Sequence, residues 1–369
     1  RGELPPRVAD RIWAAAADLG PAPAVAREAR TVLESGDPRL VLIPTRDCSL
    51  RCTYCPADKR AGHEMDRSTL DEAVELLLST DADAAILQFF GGEALLLPEL
   101  VLPGIERALA RARQLGKRLG VILSTNGLAL DAALLDRIAD WPVKIELSID
   151  GPREVHTRHR LPAVPTADSY ALVRRAVRAL VESTIDHEVI MVVTPDTVAR
   201  MADSFAHIAD LGLRAIQVNY ALAARWSRAD KQTFAAQLSA IEERYFAGDE
   251  LPPLEWINLR SFRDPMLLNG ELTVDFDGTL YHGNGFLIRT AEPASFRAGD
   301  LGDLGSFDSL AARRPDNATL VELTYPEDVA RDNRSVGRIY GSFVRHLRGR
   351  FPELSRVAPT LAPSSGAQR

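Results

Sequence analysis

All three cysteines of the chain, Cys48, Cys52 and Cys55, fall within RDCSLRCTYCPADKR, residues 46–60. A lone cysteine usually behaves as a small buried hydrophobe. Three in one polar loop, with none elsewhere in 369 residues, form a soft donor set instead. Three thiols cannot all pair, and loops this short strain a disulfide, so a reducing cytoplasm is the expected compartment. Thiolates spaced C-x3-C-x2-C can converge on one metal centre. Structural zinc wants four protein ligands, and His63 would be the fourth. An iron–sulfur cube is normally held by four cysteines; three leave one iron open for a substrate or cofactor.

The elements that must position these thiols follow from the hydrophobic pattern. Six short apolar runs read as strands: 39–45, 84–90, 118–125, 143–149, 187–194 and 215–221. Amphipathic stretches between them, such as MDRSTLDEAVELLLST, read as helices; Leu100, Ile105, Leu109 and Leu115 recur at helical spacing. Strand–helix alternation implies parallel strands joined by right-handed crossovers. Six units make a partial (β/α)6 TIM-like barrel, an α/β fold, with the cysteine loop at the C-terminal mouth where active sites sit. In the fourth strand Val143, Ile145, Leu147 and Ile149 alternate with Lys144, Glu146, Ser148 and Asp150. Gln217 and Asn219 alternate with Ile216, Val218 and Tyr220. Period two puts the polar groups on one face, either a cavity for a polar ligand or a wet sheet face.

Residues 1–36 read as an N-terminal helical extension, 37–230 as the barrel, 231–358 as a small α+β extension, and 359–369 as a disordered tail. The alternation is expected to stop near residue 231. Beyond it, Leu272, Val274 and Phe276 precede an Asp277-Gly278 turn, which signals a β-hairpin. The net charge of −7, from 44 basic and 51 acidic residues, argues against nonspecific nucleic-acid binding and against anionic membranes. No apolar run approaches a membrane span.

The C-x3-C-x2-C motif after the first strand, with Tyr54 before its third cysteine, resembles the signature of the radical S-adenosylmethionine (SAM) superfamily. FFGGEA (89–94), STNG (124–127) and SIDGPREVHTRHR (148–160) continue the likeness, each at a strand's C-terminal end. The last is similar to a stretch of peptide- and protein-modifying members such as anaerobic sulfatase-maturing enzymes. The resemblance implies one 4Fe–4S cluster on Cys48, Cys52 and Cys55, with SAM chelating the open iron. It implies that Gly91 and Gly92 let backbone carbonyls approach the SAM ammonium, with Glu93 ordering that turn or accepting from the amino group. Ser148 and Asp150 would bind the ribose hydroxyls, and Ser124 and Asn126 would also contact the cofactor. Arg160 would pair with the methionine carboxylate, with Arg158 as the alternative. Tyr54 and Val192 or Val193 would flank the adenine. An external one-electron donor of flavodoxin or ferredoxin type is implied as partner.

Relatives with SIDGP often carry a SPASM or twitch extension whose further cysteines hold auxiliary clusters. Here the corresponding hairpin reads Tyr281-His282-Gly283, and no cysteine follows residue 55. The extension is therefore read as degenerate, with His282 packed or facing substrate. With no spare thiol, hydrogen return from cysteine and transfer through methylated cysteine drop out. Oxidation, crosslinking, rearrangement and cleavage remain. Gln88, Gln217, Asn219, Tyr220, Trp226 and His282 are the candidates for substrate contact. The expected substrate is a ribosomally made peptide. A small metabolite such as a sugar or nucleotide is the second reading, and a zinc- or cluster-stabilised binding module the third.

Overall fold

The computed structural model describes residues 37–262, 269–302 and 305–355. The expected N-terminal helices and C-terminal tail lie outside the described residues. The six apolar runs form β1 (Arg39–Leu42), β2 (Ala84–Phe89), β3 (Arg118–Thr125), β4 (Val143–Ser148), β5 (Asp186–Val193) and β6 (Ala215–Tyr220). Each pairs in parallel with the next. All six residues of β2 are buried, as expected of a parallel strand covered on both faces.

The crossovers carry α1 (Arg67–Leu78), α2 (Pro98–Gln114), α3 (Ala132–Ile138), α4 (Arg153–His159), α5 (Ser169–Glu182) and α6 (Met201–Asp210). Local chemistry sets their starts. Asp66, Asp131 and Asp168 each accept a backbone N–H at the N-terminus of α1, α3 and α5. Then α7 (Arg228–Tyr245) opens on a reciprocal Ser227–Asp230 capping box. The outward residues of the strands, among them Leu40, Leu87, Val121, Ile145, Val189 and Ile216, pack with the helices in one core.

Beyond residue 231 the pattern departs from expectation. A two-residue strand, β7 (Glu255–Trp256), lies parallel on β6, so the alternation runs one step further. The expected hairpin is present as β8 (Leu272–Val274) and β9 (Thr279–His282), followed by β10 (Arg297–Asp300). It joins the same sheet, with β8 parallel to β1, giving the order β10-β9-β8-β1-β2-β3-β4-β5-β6-β7. A helix over Glu327–Arg350 buries Val336, Tyr340, Val344 and Leu347, and Trp256 Nε1 donates to Tyr340 Oη at 2.8 Å. Among the described residues no helix is long and apolar enough to cross a membrane.

Two substrate candidates are corrected by this packing. Gln217 and Asn219 lie on the inner face of β6, so Tyr220 faces the outer core, 1% exposed, with its hydroxyl on the Asn333 carbonyl. Trp226 is 2% exposed and donates to the Ala221 carbonyl. Both are core residues, not lining.

Candidate active site

The chain leaving β1 becomes the cysteine loop. Cys48 is buried, Cys52 and Cys55 are half-buried, and all three thiols are free. The Leu50 N–H points at Cys48 Sγ (3.4 Å), and Asn126 Nδ2 lies 3.6 Å from the same sulfur. Burial pushes the Cys48 thiol up to about 11, against the pull of Lys59. Burial also raises Cys52, against Arg160 and Lys59. In protonated form these are poorly solvated thiols; metal in place of the protons, with the cations kept nearby, satisfies them. Among the described residues no three His, Cys, Asp or Glu gather tightly enough to chelate a single ion. An iron–sulfur cube asks for something else, one soft ligand per iron, and the three thiols with their N–H donors and cations fit that demand.

Two straps hold the loop. On one side the Arg46 guanidinium pairs with the fully buried Asp275 beside β8, Nε to Oδ1 at 3.2 Å, and lies over the rings of Phe276 and Phe286. Asp58 N–H donates to the Leu287 carbonyl at 2.7 Å. On the other side Arg51 N–H and Thr53 N–H donate to the carbonyls of Leu161 and His159, at 2.7 and 3.0 Å. The extension thus grips the cysteine loop with side chains and backbone, and contributes no thiol.

The Gly91-Gly92-Glu93 turn packs beneath the loop. Gly91 has φ +115°, which disfavours any side chain. A Cβ on Gly92 would lie 1.8 Å from the Asp47 carbonyl oxygen. Gly92 and Glu93 N–H groups donate to the carbonyls of Thr45 and Asp47, at 3.1 and 2.8 Å. The glycines therefore have a steric role that the sequence reading lacked: they let this turn meet the cysteine loop. The buried Glu93 carboxylate accepts from Leu95 N–H, Thr125 Oγ1 and Asn126 N–H, joining the ends of β2 and β3.

At the end of β4, Asp150 and Arg160 form a buried bidentate pair, Nε to Oδ2 at 2.8 Å and Nη2 to Oδ1 at 2.9 Å. Tyr54 Oη donates to Oδ2 at 2.8 Å and Val192 N–H to Oδ1 at 3.0 Å. Burial works to raise the Asp150 pKa, but the Arg160 charge and hydrogen bonds hold it below the ordinary range. With four donors on its two oxygens, Asp150 has no lone pair to spare here. The ribose contact expected of Asp150 requires this network to open, whereas Arg160 gives Asp150 two of its five N–H groups and keeps the other three for the carboxylate contact expected of it. Arg158 is exposed and paired with Asp196. Ser148 and Val192 are half-buried on the inner face, whereas Val193 lies in the outer core.

Deeper on the inner face, Gln88 Nε2 donates to Ser124 Oγ and to Glu146 Oε2, each at 3.1 Å, and Ser124 donates to Glu146. Asn269 Nδ2 donates to Gln88 Oε1 at 3.3 Å. Gln217 Nε2 donates to Asn219 Oδ1 at 3.0 Å. Lys144 pairs with Glu188 alongside, and burial, then Glu188, raises the Glu146 pKa. Of the residues sequence reasoning passed over, Lys59, Arg46, Asp275, Glu188 and Asn269 matter most. Parity with Val192 along β5 would have placed Glu188 inside. His282 is buried away from the thiols in a small cavity with Asn269, Phe296 and Tyr325, and its Nδ1 has no partner among the described residues.

The family model described as Radical SAM superfamily matches residues 42–208, from β1 into α6. The match takes in just under half of the chain and includes the cysteine loop. That family uses a 4Fe–4S cluster and SAM. An uncharacterized protein of Methanocaldococcus jannaschii is 29% identical over 116 residues, 31% of this chain and 40% of its own length. A cysteine-type anaerobic sulfatase-maturating enzyme of Clostridium perfringens is 24% identical over 180 residues, 46% of this chain and 48% of its own. The chain thus spans less than half the length of these curated relatives. In fold, native anSMEcpe with bound AdoMet superposes with TM-score 0.68 at 18% identity, covering 86% of this chain and 97% of that one. Streptococcus suis SuiB bound to its precursor peptide SuiA gives 0.53 at 11% identity, covering 74% and 65%. Over most of its length the chain therefore shares a fold with these structures.

Proposed function

We propose that this chain is a radical SAM enzyme that modifies a ribosomally made peptide by oxidation or crosslinking. The observation that carries the radical chemistry is the cysteine loop. Its three free thiols, the only ones in the sequence, sit at the C-terminal mouth of a parallel barrel and are strapped on both sides. When bound, the reduced cluster and SAM supply a 5′-deoxyadenosyl radical that takes a hydrogen atom from substrate. The protein's part is positional. Cys48, Cys52 and Cys55 would hold three irons. The Leu50 N–H and Asn126 amide would hydrogen-bond the Cys48 sulfur. Tyr54, Ser148 and Val192 would line the nucleotide side, and Gln217 and Asn219 would face the substrate from β6. The walls of the barrel would keep water from the reacting centre.

The peptide reading is supported by the fold shared with SuiB, solved with a precursor peptide, and by sequence likeness to a sulfatase-maturating enzyme. A flavodoxin- or ferredoxin-type protein would supply the electron. The test is anaerobic co-expression with a short precursor peptide encoded beside the gene. Mass spectrometry should show loss of hydrogen at a defined residue, dependent on Cys52. A peptide unchanged in mass and fragmentation removes the peptide reading.

A further inference from the structure

Four cations lie on the cysteine loop, and three of them face carboxylates. Arg46 pairs with Asp275, Arg51 with Asp47 and Arg60 with Asp58. Lys59 is different. Its Nζ donates to the Leu50 carbonyl at 3.0 Å, and among the described residues no carboxylate lies within ion-pair distance. Its position is fixed from both sides: Asp58 N–H is bound to Leu287 and Arg60 N–H to the Arg46 carbonyl, at 2.7 and 3.1 Å. The tether is itself part of the site, because the N–H of the same Leu50 points at Cys48 Sγ. Lys59 is half-buried where Arg51 and Arg60 are exposed, and its charge acts on Cys48 most, then on Cys55 and Cys52.

We infer that Lys59 tunes the reduction potential of the centre held by the three cysteines. A cluster gains one negative charge on reduction. A fixed, half-buried cation with no carboxylate at ion-pair distance stabilises that state more than the oxidised one and so raises the potential, with the buried Glu93 carboxylate, which also acts on Cys48, offsetting part of its field. Paired cations nearby do this less, since the partner carboxylate cancels much of their field, and exposed ones less still, since water screens them. Lys59 is a positioning residue of the electrostatic kind: it touches loop backbone and takes no proton from substrate.

The inference rests on the radical SAM reading, and one experiment separates the two. Wild type, Lys59→Gln, Lys59→Arg and Arg60→Gln are reconstituted anaerobically with iron and sulfide. Each is titrated potentiometrically, following the reduced cluster by EPR. Lys59→Gln keeps a donor for the Leu50 carbonyl and removes only the charge. Its midpoint should fall below wild type, with Lys59→Arg restoring most of the shift and Arg60→Gln unmoved. A fully loaded Lys59→Gln with the wild-type midpoint overturns the inference, as does an equal shift in Arg60→Gln. Failure of Lys59→Gln to load, when Lys59→Arg loads, also overturns it, because Lys59 would then build the site and not tune it. A wild-type chain that takes up no cluster overturns the reading of the site itself.

Discussion

Asp150 and Arg160 stand ten residues apart in sequence and face each other across the end of β4, joined by two hydrogen bonds of 2.8 and 2.9 Å. Tyr54 from the cysteine loop and the Val192 N–H from β5 donate to the same carboxylate. One ion pair thereby ties the loop to two strands. Removing one partner leaves the other charge buried and alone, which costs about 3–5 kcal/mol. Arg160→Met should therefore destabilise the fold by that order in urea unfolding, and the double variant with Asp150→Asn by less than the sum. Since the folded Asp150 pKa is held low, its contribution is complete above the ordinary carboxylate range and is lost as pH falls below about 4. Asp150→Asn should flatten that part of the acid profile.

His156, in α4 behind this pair, is fully buried, and both ring nitrogens lack partners among the described residues. Burial, helped by the Arg160 charge, pushes its pKa down to about 3. The unfolded chain binds this proton near pH 6.5 and the folded chain does not, so stability falls as pH drops from about 6.5 towards 3. The loss reaches at most about 5 kcal/mol at the acid end. His156→Phe should remove that slope from stability measured against pH while leaving the neutral spectrum of the fold in place.

Gly92 meets the Asp47 carbonyl too closely for a side chain. Gly92→Ala must push the turn and the cysteine loop apart, at a cost of about 1–3 kcal/mol. The expected outcome is a chain with native far-UV circular dichroism and sharply reduced iron content. Full iron loading would show that the turn and loop separate without harm.

Asp275 and Arg46 are 229 residues apart, yet they clasp the extension to the cysteine loop. Asp275→Ala should lower iron retention and raise proteolysis within residues 46–60, with the remaining strands protected. His282→Ala, on the neighbouring β9, should leave iron content unchanged because His282 packs in a separate cavity. Loss of iron there would make His282 a ligand.

The sequence announces what is local. Strands β1–β6 are apolar runs of four to eight residues, the cysteine loop declares its chemistry by residue type, and Asp277-Gly278 marks its own turn. What is long-range stays silent. Two residues of β7 carry no period, and nothing near residue 46 names Asp275 as its partner. Parity with Gln217 and Asn219 already puts Tyr220 on the outside, whereas the burial of Trp226, in the connection after β6, shows only in the fold. Asp150 and Arg160 were legible as chemistry-bearing residues. That Arg160, Tyr54 and the Val192 N–H together fill the Asp150 carboxylate follows only from the fold.

The most direct test of the site is chemical. Wild-type protein purified under anaerobic conditions is assayed for iron and acid-labile sulfide, then reduced in the presence of SAM, with Cys52→Ala in parallel. The wild type should contain a 4Fe–4S cluster and release 5′-deoxyadenosine and methionine, while Cys52→Ala releases neither and keeps a folded barrel. Protein without inorganic sulfide, or release of 5′-deoxyadenosine that survives Cys52→Ala, would contradict the assignment.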